Sequence, residues 1–246
     1  RRIRELAGSV PYVTPALTRH GTAPQAPFSG RRTERDALDA ALAALVADRR
    51  GDAFLVHGPS GVGKSRLLDE LRTRALVTGA LVLEGQAIRE AGEPSELLRG
   101  ALRRLVVEVD VTDDEAGPLA AWVPDLPKLL ERRIPEAPRL DSHASYARVL
   151  EVVETLLTRA PAPVVLLLED AQWASSLMLR VAQRLATIAP ERGILVVVAC
   201  RDEELGLVRE ALTAPRSLPL GPLAPREADE LAERLVAVSH ARVLPW

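Results

Sequence analysis

Residues 58–65 read GPSGVGKS. This stretch matches the phosphate-binding pattern G-x-x-x-x-G-K-[ST] through Gly58, Gly63, Lys64 and Ser65. The apolar run AFLVH precedes it and the amphipathic run RLLDELRTRAL follows it, so the pattern lies between a predicted strand and a predicted helix. A glycine-rich turn with a chance lysine would not explain all four positions in that setting. The sequence therefore predicts a phosphate-binding loop, or P-loop.

The residue types of this loop suit a polyphosphate. Its glycines lack a Cβ atom and permit positive φ, so backbone N–H groups can turn inward towards an anion. The positive dipole end of the following helix adds to this attraction. We expect Lys64 to reach the β and γ phosphates and the Ser65 hydroxyl to bind Mg²⁺. The predicted contacts of the bound nucleotide in this stretch are Gly58, Pro59, Ser60, Gly61, Val62, Gly63, Lys64, Ser65 and Arg66.

The composition narrows the class of protein. A length of 246 residues, 47% of them hydrophobic, suits one α/β domain or one domain with a smaller companion. The 32 basic and 34 acidic residues nearly balance, which argues against direct nucleic-acid binding. A single cysteine, Cys200, excludes an internal disulfide and fits a reducing compartment. No apolar run reaches the ~18 residues that span a bilayer, and we expect a cytoplasmic protein without membrane contact.

Helical and strand patterns alternate after a proline-rich arm over residues 1–27. This alternation predicts a parallel, doubly wound sheet. The acidic run Asp113, Asp114 and Glu115 is predicted as a solvated loop, and Trp122 as a core residue. The predicted strands cover 53–57, 80–84, 163–170 and 193–200. The predicted helices cover 33–48, 65–76, 97–109, 142–159 and 225–238, and a further helix follows the third strand and ends at 189.

Charged residues follow two of the aliphatic strands. VVLLLED ends in Glu169 and Asp170, and we predict that Glu169 helps to hold Mg²⁺ while Asp170 polarises an attacking water. Neighbouring strand residues point to opposite faces, so both roles require the chain to turn at this point. GILVVVAC is followed by Arg201, which could sense the γ phosphate. The plainer alternatives are acids that cap the next helix, and an arginine paired with Asp202 or Glu203.

Five segments occur together in the order and spacing of one family: FSGRRTE, KSRLLDEL, LLLEDAQWAS, VVVACRDEE and LPLGPLAPREADEL. They resemble the AAA-type ATPase module of STAND regulators, as found in large LuxR-like and SARP-type bacterial transcription activators. The likeness covers about residues 28–238. It implies a three-layer α/β P-loop NTPase of the additional-strand class, with parallel sheet order 5-1-4-3-2. It also implies an ATPase core over 28–222 and the start of a helical lid or winged-helix region over 223–246.

The resemblance extends to particular residues. It places the F-x-G-R-x-x-E segment near the adenine, which implies nucleotide contacts for Phe28, Gly30 and Arg31. The predicted catalytic residues are Lys64, Glu169, Asp170 and Arg201, and the predicted Mg²⁺ ligands are Ser65 and Glu169, partly through water. The family commonly has His-Trp-Ala-Asp after the acids, whereas this chain has QWAS, so we expect slow hydrolysis. No Gly-Asn-Pro motif occurs before Trp246, so we expect an excised module of a longer protein.

Three functions are compatible with these features. The first is a nucleotide-operated switch that binds ATP or ADP with Mg²⁺, hydrolyses ATP slowly and acts on other domains of the same polypeptide. Such a switch could also form homo-oligomers whose assembly depends on the bound nucleotide. The second is a small-molecule kinase, although residues 110–140 carry more acidic than basic residues and so lack a basic lid. The third is a scaffold that binds ATP without turnover.

Overall fold

The computed structural model describes residue 28 and residues 30–89, 96–136 and 142–241. The predicted arm over residues 1–27 lies outside the described residues. Gly30–Ala224 form one compact unit, whereas Phe28 and the helix Pro225–Ala241 belong to a second unit.

Helices and strands alternate along the larger unit, as predicted, except that, among the described residues, four helices lie in succession between the second and third strands. The strands are β1 (Asp52–Gly58), β2 (Leu81–Gln86), β3 (Val164–Glu169), β4 (Ile194–Arg201) and β5 (Arg216–Pro219). The helices are α1 (Arg32–Asp48), α2 (Lys64–Val77), α3 (Glu96–Glu108), α4 (Asp113–Leu119), α5 (Leu126–Leu129), α6 (Ser142–Thr158), α7 (Ser176–Arg192) and α8 (Leu205–Ala211). Short 3-10 turns, Ala171–Trp173 and Asp202–Glu204, follow β3 and β4, and Pro225–Ala241 is α9.

The five strands form one parallel sheet in the order β2-β3-β4-β1-β5. This order confirms the predicted α/β class and the predicted arrangement 5-1-4-3-2. Since β4 lies between β1 and β3, the carboxyl ends of these three strands meet at one edge of the sheet. The P-loop and Asp170 directly follow those carboxyl ends, and Glu169 and Arg201 are the last residues of β3 and β4. Ligands of open parallel sheets bind at that edge.

The core is aliphatic and lies on and around the central strands. Every apolar residue of β3 and β4 is buried, as expected for strands that are covered on both faces. Cys200 is 1% exposed and belongs to this core. Trp122 also belongs to the core cluster, and its ring centroid lies 6.2 Å from that of Tyr146.

The loop prediction for the acidic run is wrong, because Asp113–Leu119 forms helix α4. The backbone N–H of Thr112 donates to Oε2 of Glu115 at 2.9 Å, and Arg159 forms an ion pair with the same carboxylate. Thr-x-x-Glu is a helix-start sequence, and acidic residues in a first turn are favoured by the helix dipole. The acids therefore begin a helix.

Strand β2 and helix α3 approach each other so closely at Gly85 that a side chain does not fit. A Cβ atom on Gly85 would lie 1.9 Å from the carbonyl oxygen of Leu97. We expect Gly85→Ala to lower the free energy of unfolding by about 1–3 kcal/mol, because α3 must shift. Gly206→Ala in α8, where a Cβ meets no atom within 4 Å, is the control and should be neutral or slightly stabilising. Equal midpoints of thermal unfolding for the two variants would contradict this close packing.

Candidate functional site

The loop between β1 and α2 has the backbone form of a phosphate cradle. Gly61 and Gly63 have φ angles of 77° and 103°, which glycine adopts without strain. A Cβ atom on either residue would meet no atom within 4 Å, so the space beside them is open. Gly58 differs, because its Cβ atom would lie 2.4 Å from the carbonyl oxygen of Leu220. Position 58 therefore requires glycine, because any side chain there would collide with the backbone of Leu220.

The Lys64 ammonium lies within the loop. Its Nζ donates to the carbonyl oxygen of Gly58 at 2.6 Å and to that of Pro59 at 2.8 Å. Burial lowers the pKa of Lys64, and the positive charge of Arg201 lowers it further. Two cationic side chains are therefore close enough to repel each other at this edge of the sheet. A bound polyphosphate would offset both effects by supplying negative charge.

Two oxygen ligands of the kind that Mg²⁺ prefers lie side by side. The Ser65 hydroxyl in the first turn of α2 donates to Oε2 of Glu169 at the end of β3, at 2.7 Å. Across 28, 30–89, 96–136 and 142–241, no group of three or more His, Cys, Asp and Glu side chains could hold a metal ion. Hydroxyl and carboxylate oxygens still fit Mg²⁺, which is commonly held by one or two protein groups together with phosphates and water.

The chain turns at Asp170, directly after β3. Its φ of 54° is left-handed, a conformation that Asp tolerates better than most residues. The side-chain amide of Gln86 donates to Oδ2 at 2.6 Å, and that of Gln172 donates to Oδ1 at 3.1 Å. The turn that the two acidic roles require is therefore present, and both carboxylate oxygens of Asp170 accept hydrogen bonds from amides.

Arg201 is held by the turn that follows β3. It is the last residue of β4 and lies opposite Gly58 in the strand register. Its backbone N–H donates to Oε1 of Gln172 at 3.1 Å, and its guanidinium carbon lies 5.0 Å from the ring centroid of Trp173. This distance permits a cation–π interaction, so the aromatic ring helps to orient the arginine.

The two acids named as alternative partners of Arg201 have other contacts. Asp202 Oδ1 lies 2.8 Å from Nδ1 of His57, and Glu203 accepts a long hydrogen bond of 3.5 Å from the N–H of Ser60. His57 also lies 2.9 Å from the Ser217 hydroxyl through Nε2. The buried histidine therefore joins β1 to β5 and to the turn after β4.

The segment FSGRRTE reaches the P-loop through Arg31. Arg31 is 7% exposed, and its Nη2 donates to the carbonyl oxygen of Val62 at 3.0 Å and to that of Gly221. Its Nη1 lies 3.4 Å from Oε1 of Glu34. The nucleotide contacts assigned to Arg31, to Gly30, to Phe28 in the second unit and to Arg66 in the first turn of α2 stay predictions.

Sequence patterns predicted no contact for three residues of this edge: Gln86, Gln172 and Trp173. The predicted second strand ends at residue 84, whereas β2 extends to Gln86. Gln86 therefore pairs with Glu169 of β3. The sequence does contain a signal for Gln86, because this polar residue ends the strand that pairs with β3, and β3 ends in Glu169. The last residue of QWAS caps the start of α7, because Ser175 Oγ accepts a hydrogen bond from the N–H of Met178 at 3.2 Å.

A five-stranded parallel sheet with a P-loop after β1 and acids after β3 defines a P-loop nucleotide-binding fold. A family profile for the AAA ATPase domain matches residues 27–198. The chain belongs to the AAA ATPase domain family. No curated protein matches it in sequence.

Two solved structures have a similar fold. Cdc6p from Pyrobaculum aerophilum has 16% sequence identity and a TM-score of 0.52, over 91% of this chain and 52% of that chain. ORC1 from Aeropyrum pernix, solved in complex with DNA, has 17% identity and a TM-score of 0.50, over 87% of this chain and 51% of that chain. The chain therefore spans about half the length of these structures. Within the described part of the chain, no helix has the length and apolar character to cross a membrane.

Proposed function

We propose that this chain binds ATP or ADP with Mg²⁺, hydrolyses ATP slowly and acts as a nucleotide-operated switch. The observation that carries the proposal is the 2.7 Å hydrogen bond between the Ser65 hydroxyl and the Glu169 carboxylate. It joins the P-loop helix to the acidic end of β3, at the sheet edge where Lys64 and Arg201 also lie. A cation site and two cationic side chains at one edge suit a nucleoside triphosphate.

Each side chain then has a distinct role. Lys64 would exchange the carbonyl oxygens of Gly58 and Pro59 for phosphate oxygens, which are stronger acceptors because they are charged. Arg201 would stabilise negative charge on the γ phosphate, and Asp170 would orient the attacking water. Ser65 and Glu169 would hold Mg²⁺, partly through water, and the ion would neutralise charge on the phosphates.

Slow turnover is supported by the contacts of Asp170. Both of its oxygens accept hydrogen bonds from the amides of Gln86 and Gln172. Each oxygen keeps a second lone pair that could accept from a water, but the two amide donors limit the directions from which that water can approach. This restriction would lower the fraction of time for which a water is correctly placed for attack.

A switch of this kind would act on other domains of a multidomain regulator. The resemblance to STAND transcription regulators supports this context, with DNA-binding and effector-sensing domains elsewhere in the polypeptide. We propose an ATPase core over 28–222 and a lid region from 223, a division that the compact unit Gly30–Ala224 supports. Nucleotide-dependent homo-oligomers are a further part of the proposal.

Direct DNA binding by this chain is not part of the proposal, although Aeropyrum pernix ORC1 was solved with DNA. Proteins that bind DNA through its backbone neutralise phosphates with clustered Lys and Arg residues. In this chain 32 basic residues are balanced by 34 acidic ones. We therefore propose that a separate domain contacts DNA.

Release of inorganic phosphate from ATP tests the proposal. The purified chain with ATP and Mg²⁺, and without any acceptor, should release phosphate slowly but above the level of the Lys64→Ala variant. A kinase would require an added acceptor, and an ATP-binding scaffold would release no phosphate while still binding ATP in calorimetry. Absence of ATP and ADP binding would overturn the proposal itself.

A further inference from the structure

The Val62–Gly63 peptide, like the Ser60–Gly61 peptide, precedes a P-loop glycine with positive φ. The peptide between Val62 and Gly63 is followed by a glycine with φ of 103°. Glycine tolerates positive and negative φ almost equally, so it imposes little preference on the orientation of this peptide. Some other group must select that orientation if the loop is to bind phosphate tightly.

Arg31 is in contact with this peptide. Its Nη2 donates to the carbonyl oxygen of Val62 at 3.0 Å. In a trans peptide the C=O and N–H bonds point in opposite directions, so the N–H of Gly63 points away from Arg31. Backbone N–H groups are the parts of a P-loop that bind the phosphates. The contact that holds the Val62 carbonyl therefore also sets the direction of a phosphate donor.

The Arg31 guanidinium is itself held firmly. The side chain is buried, so its N–H groups need protein acceptors. The same nitrogen that binds Val62 also donates to the carbonyl oxygen of Gly221, and Nη1 lies 3.4 Å from Glu34. Gly221 follows β5 in the segment that leads to α9. The Arg31 guanidinium therefore connects the P-loop, through Val62, with the segment after β5, through Gly221.

We propose that Arg31 is a positioning residue for the P-loop. It holds the Val62–Gly63 peptide so that the Gly63 N–H faces the bound phosphates, and it couples that orientation to the segment at Gly221. This inference rests on the proposed nucleotide binding. It differs from the adenine contact that the family resemblance implies, because it assigns the effect of Arg31 to the phosphates.

A probe without a base separates the two roles. We expect Arg31→Gln to weaken the binding of inorganic tripolyphosphate and of ADP, each with Mg²⁺, by a similar factor of roughly ten, the value of one charge-assisted hydrogen bond. Isothermal titration calorimetry measures both affinities. If Arg31→Gln weakened ADP binding but left tripolyphosphate binding unchanged, Arg31 would act on the base and the proposal would be wrong. Unchanged affinity for both would also overturn it.

Arg32→Gln is the matched control. Arg32 is exposed and is the first residue of α1, next to Arg31, so its replacement should change neither affinity. If Arg31→Gln does not fold, Arg31→Lys provides the same test, since it keeps the charge but lacks the planar fork. We expect it to lose roughly threefold for both probes, and parent-like tripolyphosphate binding would overturn the proposal.

Hydrogen exchange tests the coupling to Gly221. In the parent chain, ADP should change the exchange of the backbone amides of Leu220, Gly221, Leu223 and Ala224, and in Arg31→Gln the same saturating ADP should change it much less. A purely structural role would leave this response to ADP intact, and that outcome would overturn the coupling. A parent chain that binds neither ADP nor tripolyphosphate would instead refute nucleotide binding, which distinguishes the two failures.

Discussion

Replacement of Lys64 by alanine should lower the affinity for ATP and ADP roughly ten- to a hundredfold, a loss of about 1.5–3 kcal/mol. The variant removes the ammonium that would bind the phosphates, while the glycines that shape the loop stay in place. The free ammonium is held by two backbone carbonyls, and burial and Arg201 lower the pKa of Lys64. A phosphate would relieve this unfavourable environment, so the lysine contributes strongly to binding.

Calorimetry with ADP and Mg²⁺ measures this loss. Lys128→Ala is the matched control, because Lys128 is the other lysine of the chain and is exposed on α5. Its replacement should leave the affinity unchanged. Equal affinity of the Lys64→Ala variant and the parent would refute the proposed phosphate site, because no other lysine lies in the loop.

Replacement of Asp170 by asparagine should reduce kcat about a hundredfold or more, with little effect on ATP affinity. Asparagine has nearly the same size and also tolerates the left-handed backbone at this position, where φ is 54°. The change therefore removes a charge that orients and deprotonates water while it preserves the turn after β3. The phosphate cradle and the Ser65–Glu169 pair remain intact.

Two companion variants make this test specific. Glu169→Gln should weaken the dependence of nucleotide binding on Mg²⁺, because it removes the carboxylate next to the Ser65 hydroxyl. Asp114→Asn, in an exposed position of the first turn of α4, should change neither binding nor turnover. If Asp170→Asn hydrolysed ATP at the parent rate, the role assigned to Asp170 would be wrong. If Asp170→Asn, and not Glu169→Gln, weakened the Mg²⁺ dependence of binding, the roles of the two acids would be reversed.

Much of the fold follows from local patterns in the sequence. The P-loop motif, the aliphatic runs of β3 and β4 and the amphipathic helices each occupy a short stretch, and their spacing is set by the backbone geometry. Family resemblance adds the strand order, which the structure confirms. The acidic run at residues 113–115 is an exception, because its composition predicts a solvated loop whereas Thr112 and Glu115 begin a helix.

The candidate site is predictable where each residue ends its own strand or begins its own helix. Lys64 and Ser65 begin α2, Glu169 ends β3 and Arg201 ends β4. Parallel strands carry their carboxyl ends to one edge, so strand order is enough to bring these residues together. Gln86 and Trp173 lay outside the prediction, because their contacts with Asp170 and Arg201 depend on side-chain direction as well as on position.

The sequence by itself determined the class of the sheet, the phosphate-binding loop and the charged strand ends, because these depend on residues close together along the chain. Tertiary structure alone decided what Arg31 and Gly58 do. Arg31 binds carbonyl oxygens that are 31 and 190 residues away, and Gly58 is glycine because Leu220 approaches it. Such contacts arise only when β5 pairs with β1 and brings the segment after it over the P-loop. No pattern within a single helix or strand specifies contacts between residues so far apart along the chain.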